Sequence, residues 1–191
     1  NNGPLMVYIS KMVQIDEGRF AAFGRIFSGT AKAGEKVKII GPNYREGSKD
    51  DYFEKNMANV MVMIGNKAHS MGSVPCGNTI AITGIDNCIA KTCTISSMET
   101  KNNNFIRPMK FSVSPVFRVA VKPVNQMDMP QLSAGLQKLC KIDSLVQWTV
   151  EETGENVIAG CGELHMEICV HELKKLTGRP IEVSEPIVSY R

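Results

Sequence analysis

Val150-Glu151-Glu152-Thr153-Gly154-Glu155-Asn156-Val157-Ile158-Ala159-Gly160-Cys161-Gly162-Glu163-Leu164-His165 decides the fold of the second half of this chain. An apolar run from Leu145 to Glu151 predicts a strand, and the polar Glu152–Asn156 segment, with Gly154 inside it, predicts a hairpin turn. Val157 to Cys161 predicts the returning strand. Gly160 and Gly162 allow a sharp turn into a helix starting at about Glu163, with Leu164, Ile168 and Leu173 expected on one side. Gly178 suits the position just after its C-terminus.

Working outward, the same grammar repeats. Val116 to Lys122 predicts a strand. Asp128 is placed as an N-cap, with Pro130 in the first turn of a helix that carries Leu132, Leu136 and Leu139 up to Ile142. Ile181-Glu182-Val183 predicts a last strand. The order is β-α-β-β-α-β, the ferredoxin-like split βαβ pattern of an α+β domain. Upstream the period changes to short strands: Leu5 to Val13, Arg19 to Phe27, Lys36 to Ile40, Asn59 to Ile64, Thr79 to Ile85 and Lys91 to Ser97. Ser28–Gly34 is expected as a turn and Gly41–Asn56 as a long polar excursion. Such spacing predicts a small, mainly β barrel. Polar Thr100–Asn104, ended by Arg107-Pro108, is the expected linker, which divides the chain into a barrel over 1–107 and an α/β sandwich over 108–191.

Bulk properties bound the function. No apolar run approaches the roughly 18 residues of a membrane span, so no membrane partner is expected. A basic-then-apolar leader is missing, and the abrupt start at Asn1-Asn2-Gly3-Pro4 fits a segment of a longer protein. None of the six cysteines has C-x-x-C spacing, which favours a reducing, cytoplasmic setting. The net charge of +3 is unevenly spread: residues 1–108 hold 13 Lys and Arg against 9 Asp and Glu, whereas the remainder holds 9 against 10. Polyanion contact therefore belongs to the first half, where Lys11, Arg25, Lys32, Lys36 and Lys38 are the candidate RNA-contacting residues. Ordinary solvated lysines are the plain alternative.

Three stretches come close to catalytic motifs and fail. Gly160-Cys161-Gly162-Glu163-Leu164-His165 nearly spells G-x-G-x-x-G, but His165 replaces the glycine needed for close packing, and Glu163 sets a carboxylate where a phosphate would sit. Gly29 to Gly34 has the glycine spacing of a phosphate loop, but Glu35-Lys36 follows where Lys-Ser or Lys-Thr is required. Cys161, His165 and Cys169 at i, i+4, i+8 would line one face of a continuous helix and suit zinc. Cys161 is expected on the strand, however, and a fourth ligand is not evident. As a Cys–His nucleophile the pair lacks an orienting group. Catalytic, cofactor-binding and metal residues are accordingly expected to be none.

Longer stretches carry a resemblance. Arg107 to Val121, and Val150 to Gly160 followed by Gly162-Glu163-Leu164-His165-Met166-Glu167-Ile168, resemble the third domain of the eukaryotic elongation factor 2 family of ribosomal translocase GTPases. The second stretch looks like the family's G-E-L-H-L-E signature, here with Met166 for Leu. Gly3 to Val13, Gly18 to Arg25 and Val74 to Asn78 are similar to its second domain. The resemblance covers essentially the whole chain. A spliceosomal relative of the translocase is the nearest competitor; His165 and the Ser189-Tyr190-Arg191 ending favour the elongation factor. The resemblance implies a translation-factor barrel resting on small-subunit ribosomal RNA, then a sandwich near a small-subunit protein that relays rearrangement between domains. It implies that GTP and Mg2+ belong to a preceding GTPase domain, with another domain following. Gly160, Gly162, Glu163, Leu164, His165 and Glu167 then form a structural turn and helix start.

Overall fold

The computed structural model describes residues 3–16, 19–45, 50–65, 67–100, 104–109, 115–152 and 154–188. The chain divides into two compact units, Asn1–Met109 and Lys110–Arg191.

In the first unit, eight strands form one antiparallel sheet: β1 (Met6–Asp16), β2 (Arg19–Ser28), β4 (Lys36–Ile40), β5 (Tyr52–Asn56), β6 (Asn59–Ile64), β7 (Lys67–Met71), β9 (Thr79–Thr83) and β10 (Cys93–Ser97). Their spatial order is β5-β4-β10-β1-β2-β9-β6-β7, and β3 (Thr30–Lys32) pairs separately with β8 (Ser73–Pro75). The sheet curls on itself. Val37 and Ile39 near one edge share a single buried cluster with Val7 and Ile9 at the centre and Val60 near the other edge. Each comes from the inward set of an alternating strand, so the main core spans the sheet, and a smaller cluster gathers around Ala21, Met61 and Ala81.

Two sequence expectations change here. Gly41–Asn56 is not wholly an excursion: Tyr52–Asn56 forms β5, paired with β4 from Lys36↔Asn56 to Ile40↔Tyr52. As an edge strand it is held by main-chain bonds, and four of its five side chains are exposed, so apolar alternation could not reveal it. Asp51, at φ 59°, turns the chain into β5 while its Oδ2 accepts the Asn43 N–H at 3.0 Å. The Ser28–Gly34 turn likewise contains a strand, β3. The segment leaving the barrel is held along the outer face. Lys38 Nζ donates to the Thr100 carbonyl (2.9 Å), the Ile106 N–H donates to Thr94 Oγ1 (2.9 Å), and the Met109 N–H donates to Tyr8 Oη (3.2 Å).

The second unit is the split βαβ sandwich. Its elements are β11 (Phe117–Pro123), α1 (Met129–Ile142), β12 (Gln147–Val150), β13 (Asn156–Gly160), α2 (Glu163–Thr177), β14 (Ile181–Val183) and β15 (Ile187–Val188). Sheet order is β12-β13-β11-β14, the interleaving of a ferredoxin-like fold, with β15 a further partner of β11. The helices cover one face, where Leu132, Leu136 and Leu139 meet Val119, Val121, Ile158, Met166 and Leu173. Gly135 lets them approach: a Cβ there would lie 2.6 Å from Thr177 Cγ2 and 3.3 Å from Leu173 Cδ1. Asp128 takes the expected N-cap position but makes no side-chain cap bond, and its Oδ1 lies 3.7 Å from Arg179 Nε instead. Gly178 ends α2 in the left-handed conformation, its N–H on the Lys174 carbonyl. No helix among the described residues is long and apolar enough to cross a membrane.

Candidate functional site

The signature stretch sits where β13 turns into α2. Gly160 is required there by close packing: a Cβ would stand 2.6 Å from Met166 Sδ and 2.9 Å from His165 Nδ1. Gly162 is different. Its backbone is extended and nothing lies within 4 Å of an added Cβ, so the turn itself does not explain that glycine.

His165 fastens this turn to another. Its Nδ1 accepts the Cys161 N–H (3.1 Å), and its Nε2 lies 2.7 Å from Asp143 Oδ2. An N–H pointing at Nδ1 requires a lone pair there, so the proton resides on Nε2 and is donated to the carboxylate. Asp143 follows the last residue of α1, and its Oδ1 accepts the Leu145 N–H at 2.8 Å. One imidazole thus joins the exit of α1 to the entrance of α2. Asp143 is the orienting group that the sequence did not reveal. Its only local signal is a polar residue two positions before the amide that it caps, an ordinary Asx-turn.

The chemistry open to this group is limited by those bonds. With both ring nitrogens engaged, His165 holds no lone pair for Cys161 Sγ, and a Cys–His nucleophile is not assembled. The ligating atoms of Asp143, His165 and Cys169 lie within 4.8 Å of one another. A cation at Nε2 would displace the bond to Asp143 and force a proton onto Nδ1 against the Cys161 N–H. It would also have to ionise Cys169, whose thiol is pushed up to about 12 by burial and then by the Asp143 charge. Cys161 itself lies outside the helix, between Gly160 and Glu163, so the i, i+4, i+8 row is broken. The arrangement is a hydrogen-bonded clamp.

Beyond the clamp, the expected apolar side of α2 is corrected: Leu173 is buried together with Met166 and Cys169, whereas Leu164, half a rotation away from Leu173, is 70% and Ile168 55% exposed on the outer side. Glu163, Glu167 and Lys174 rim a groove of about 480 Å3 floored by Phe117, Val119 and Val170. A carboxylate on the first turn of α2 opposes phosphate at that helix end.

The barrel disperses the five candidate cations. Lys11 and Arg25 are exposed on neighbouring strands, β1 and β2, where the register pairs Tyr8 with Arg25 and Lys11 with Phe23. Lys32 and Lys36 line a second notch of about 320 Å3 together with Glu35 and Glu99. Lys36 is paired with Glu54 Oε2 at 2.8 Å, and hydrogen bonds from Lys36 and then Tyr52 hold that carboxylate below its usual range. Lys38 is half-buried and committed to the Thr100 carbonyl. Gly29 to Gly34 is no phosphate cradle, because Thr30–Lys32 runs as β3 along β8. Neither that stretch nor the turn into α2 is shaped to hold a nucleotide phosphate.

Comparison with known families matches each unit separately. Residues 20–96 match the family model for elongation factor Tu domain 2, and residues 113–185 match that for elongation factor G, domain III. The chain therefore carries, in this order, two domains of the translation elongation factor G/Tu family.

Proposed function

We propose that this chain is the non-catalytic central part of a ribosomal translocase of the eukaryotic elongation factor 2 type, acting in the cytoplasm. The observation that carries this reading is the succession of a Tu-type domain 2 and a G-type domain III in one chain. In it the barrel contacts small-subunit ribosomal RNA, with Lys11, Arg25, Lys32 and Lys36 the exposed ones among the five candidate cations. The sandwich passes rearrangement between neighbouring domains of the parent protein. GTP hydrolysis, with its Mg2+, belongs to a GTPase domain of that parent. The clamp supports this division of labour, since it keeps the signature turn rigid while leaving Leu164 and Ile168 exposed for a neighbour.

Sedimentation with purified small ribosomal subunits tests the reading. The chain is expected to pellet with subunits at low salt and to compete with an intact translocase for them. Failure to compete at any salt concentration would overturn it, and selective capture by spliceosomal particles would transfer it to the spliceosomal translocase-like GTPase.

A further inference from the structure

Where β1 pairs with β2, the register slips at two places in the first half of β1. Between Met6↔Ser28 and Val7↔Ile26 one residue of β2, Phe27, has nothing opposite it, and between Ile9↔Gly24 and Lys11↔Phe23 the extra residue is Ser10 of β1. Ser10 Oγ closes the second irregularity by donating to the Phe23 carbonyl at 3.2 Å. Such insertions twist a strand pair and re-aim its side chains. Ile26 is fully buried in the core, so Arg25 and Phe27 on either side of it point outward. Phe27 is 58% exposed. Arg25 stands roughly 7 Å back along the strand, and Lys11, opposite Phe23, extends the row.

A single exposed phenylalanine is ordinary; its company is what points to a ligand. The paired stretches around it, Met6–Lys11, Phe23–Phe27 and Thr79–Ala81, contain two cations, Lys11 and Arg25, and no Asp or Glu. Phe27 is also the only large apolar side chain left exposed among the described residues of β1, β2 and β9. One ring does not make the apolar centre of a protein interface, but it matches one nucleobase. We propose that Phe27 is a stacking platform for an unpaired RNA base, with Arg25 and Lys11 on the phosphates that flank it. This role rests on the barrel's contact with RNA proposed above and adds the form of RNA that it selects. In a duplex every base is already stacked between neighbours, so the ring gains nothing there; a bulge, loop or single strand offers a free face. All four bases have such a face, so the preference is for unpaired RNA and not for a sequence.

Fluorescence anisotropy with the intact 191-residue chain tests this, using a labelled single-stranded RNA of about twelve nucleotides and a fully paired duplex of the same sequence as probes. The unmodified chain should bind both at low salt, the single strand more tightly, and each affinity should fall steeply as salt is added. Phe27→Leu, which keeps an apolar side chain but removes the flat ring, should weaken single-strand binding about fivefold or more and leave duplex binding and the salt slope unchanged. Phe27→Tyr should retain the unmodified affinity, and Phe53→Leu, at an exposed phenylalanine on β5, should have no effect. Urea midpoints should match throughout, since both rings are exposed. Unchanged single-strand affinity in Phe27→Leu, or an equal loss on the duplex, overturns the stacking role while the barrel's contact with RNA stands. Salt-dependent binding of neither probe overturns that contact, and the stacking role with it.

Discussion

In the sandwich, one imidazole fastens two turns; in the barrel, three side chains from three strands fasten one departing segment. The sandwich clamp is compact and engages both nitrogens of His165, both oxygens of Asp143 and a glycine that admits the ring. The barrel's anchors each supply one bond. The difference separates a joint closed around one ring from one spread over three strands. The first holds the signature helix, whose outer face stays open, and the second holds residues 104–109 against the barrel.

Substitutions separate the two joints by size of effect. Gly160→Val drives a side chain into Met166 and His165 and is expected to cost about 2–3 kcal/mol in urea unfolding of the sandwich. His165→Ala leaves the Cys161 N–H and the Asp143 carboxylate without their partner, at about 2 kcal/mol. Thr94→Val, which removes the acceptor of the Ile106 N–H, should lower barrel stability by only about 0.5–1 kcal/mol. Equal losses for His165→Ala and Thr94→Val would erase the distinction.

Alkaline pH sharpens it from another side. An unfolded cysteine ionises near its ordinary value of 9.0, whereas burial holds the Cys169 proton to about 12. Its folded-state pKa is raised, so the stabilisation is complete below pH 9 and is lost as pH climbs towards 12. Burial raises the Cys93 thiol of the barrel as well. Urea midpoints of both units should therefore fall as pH rises above about 9, towards 12, and Cys169→Ala should flatten the fall in the sandwich alone. A sandwich midpoint that drops equally with and without Cys169 would contradict that assignment.

How much of this was legible in the sequence follows the same division. The βαββαβ order was readable because each element carries its own period and its own stops, such as Leu132, Leu136 and Leu139 in α1 or Gly178 after α2. Near-motifs were readable as failures, because a phosphate loop and a dinucleotide turn each need a residue that is visibly replaced. The clamp was only half readable: Gly160 and His165 are near neighbours in sequence, but Asp143 lies 22 residues from His165 and meets it only when the helices pack. The barrel hid more. Strand β5 has no apolar alternation, since its sheet bonds are main-chain and its side chains face water. Lys38 reads like Lys36, two residues apart with the same charge; the register sets Lys38 opposite Glu54, yet it is Lys36 that reaches Glu54 diagonally, while Lys38 turns to the Thr100 carbonyl.

That contrast within the barrel gives the most direct test of the binding account. Small-subunit affinity should be measured across a series of salt concentrations for the unmodified chain, for Lys11→Glu with Arg25→Glu, and for Lys38→Met. The account predicts an affinity that falls steeply with salt. The slope of log affinity against log salt should become shallower by roughly 0.7–0.9 for each phosphate that the double variant no longer neutralises, and should be unchanged in Lys38→Met. Affinity independent of salt, or the same slope in all three proteins, would contradict it.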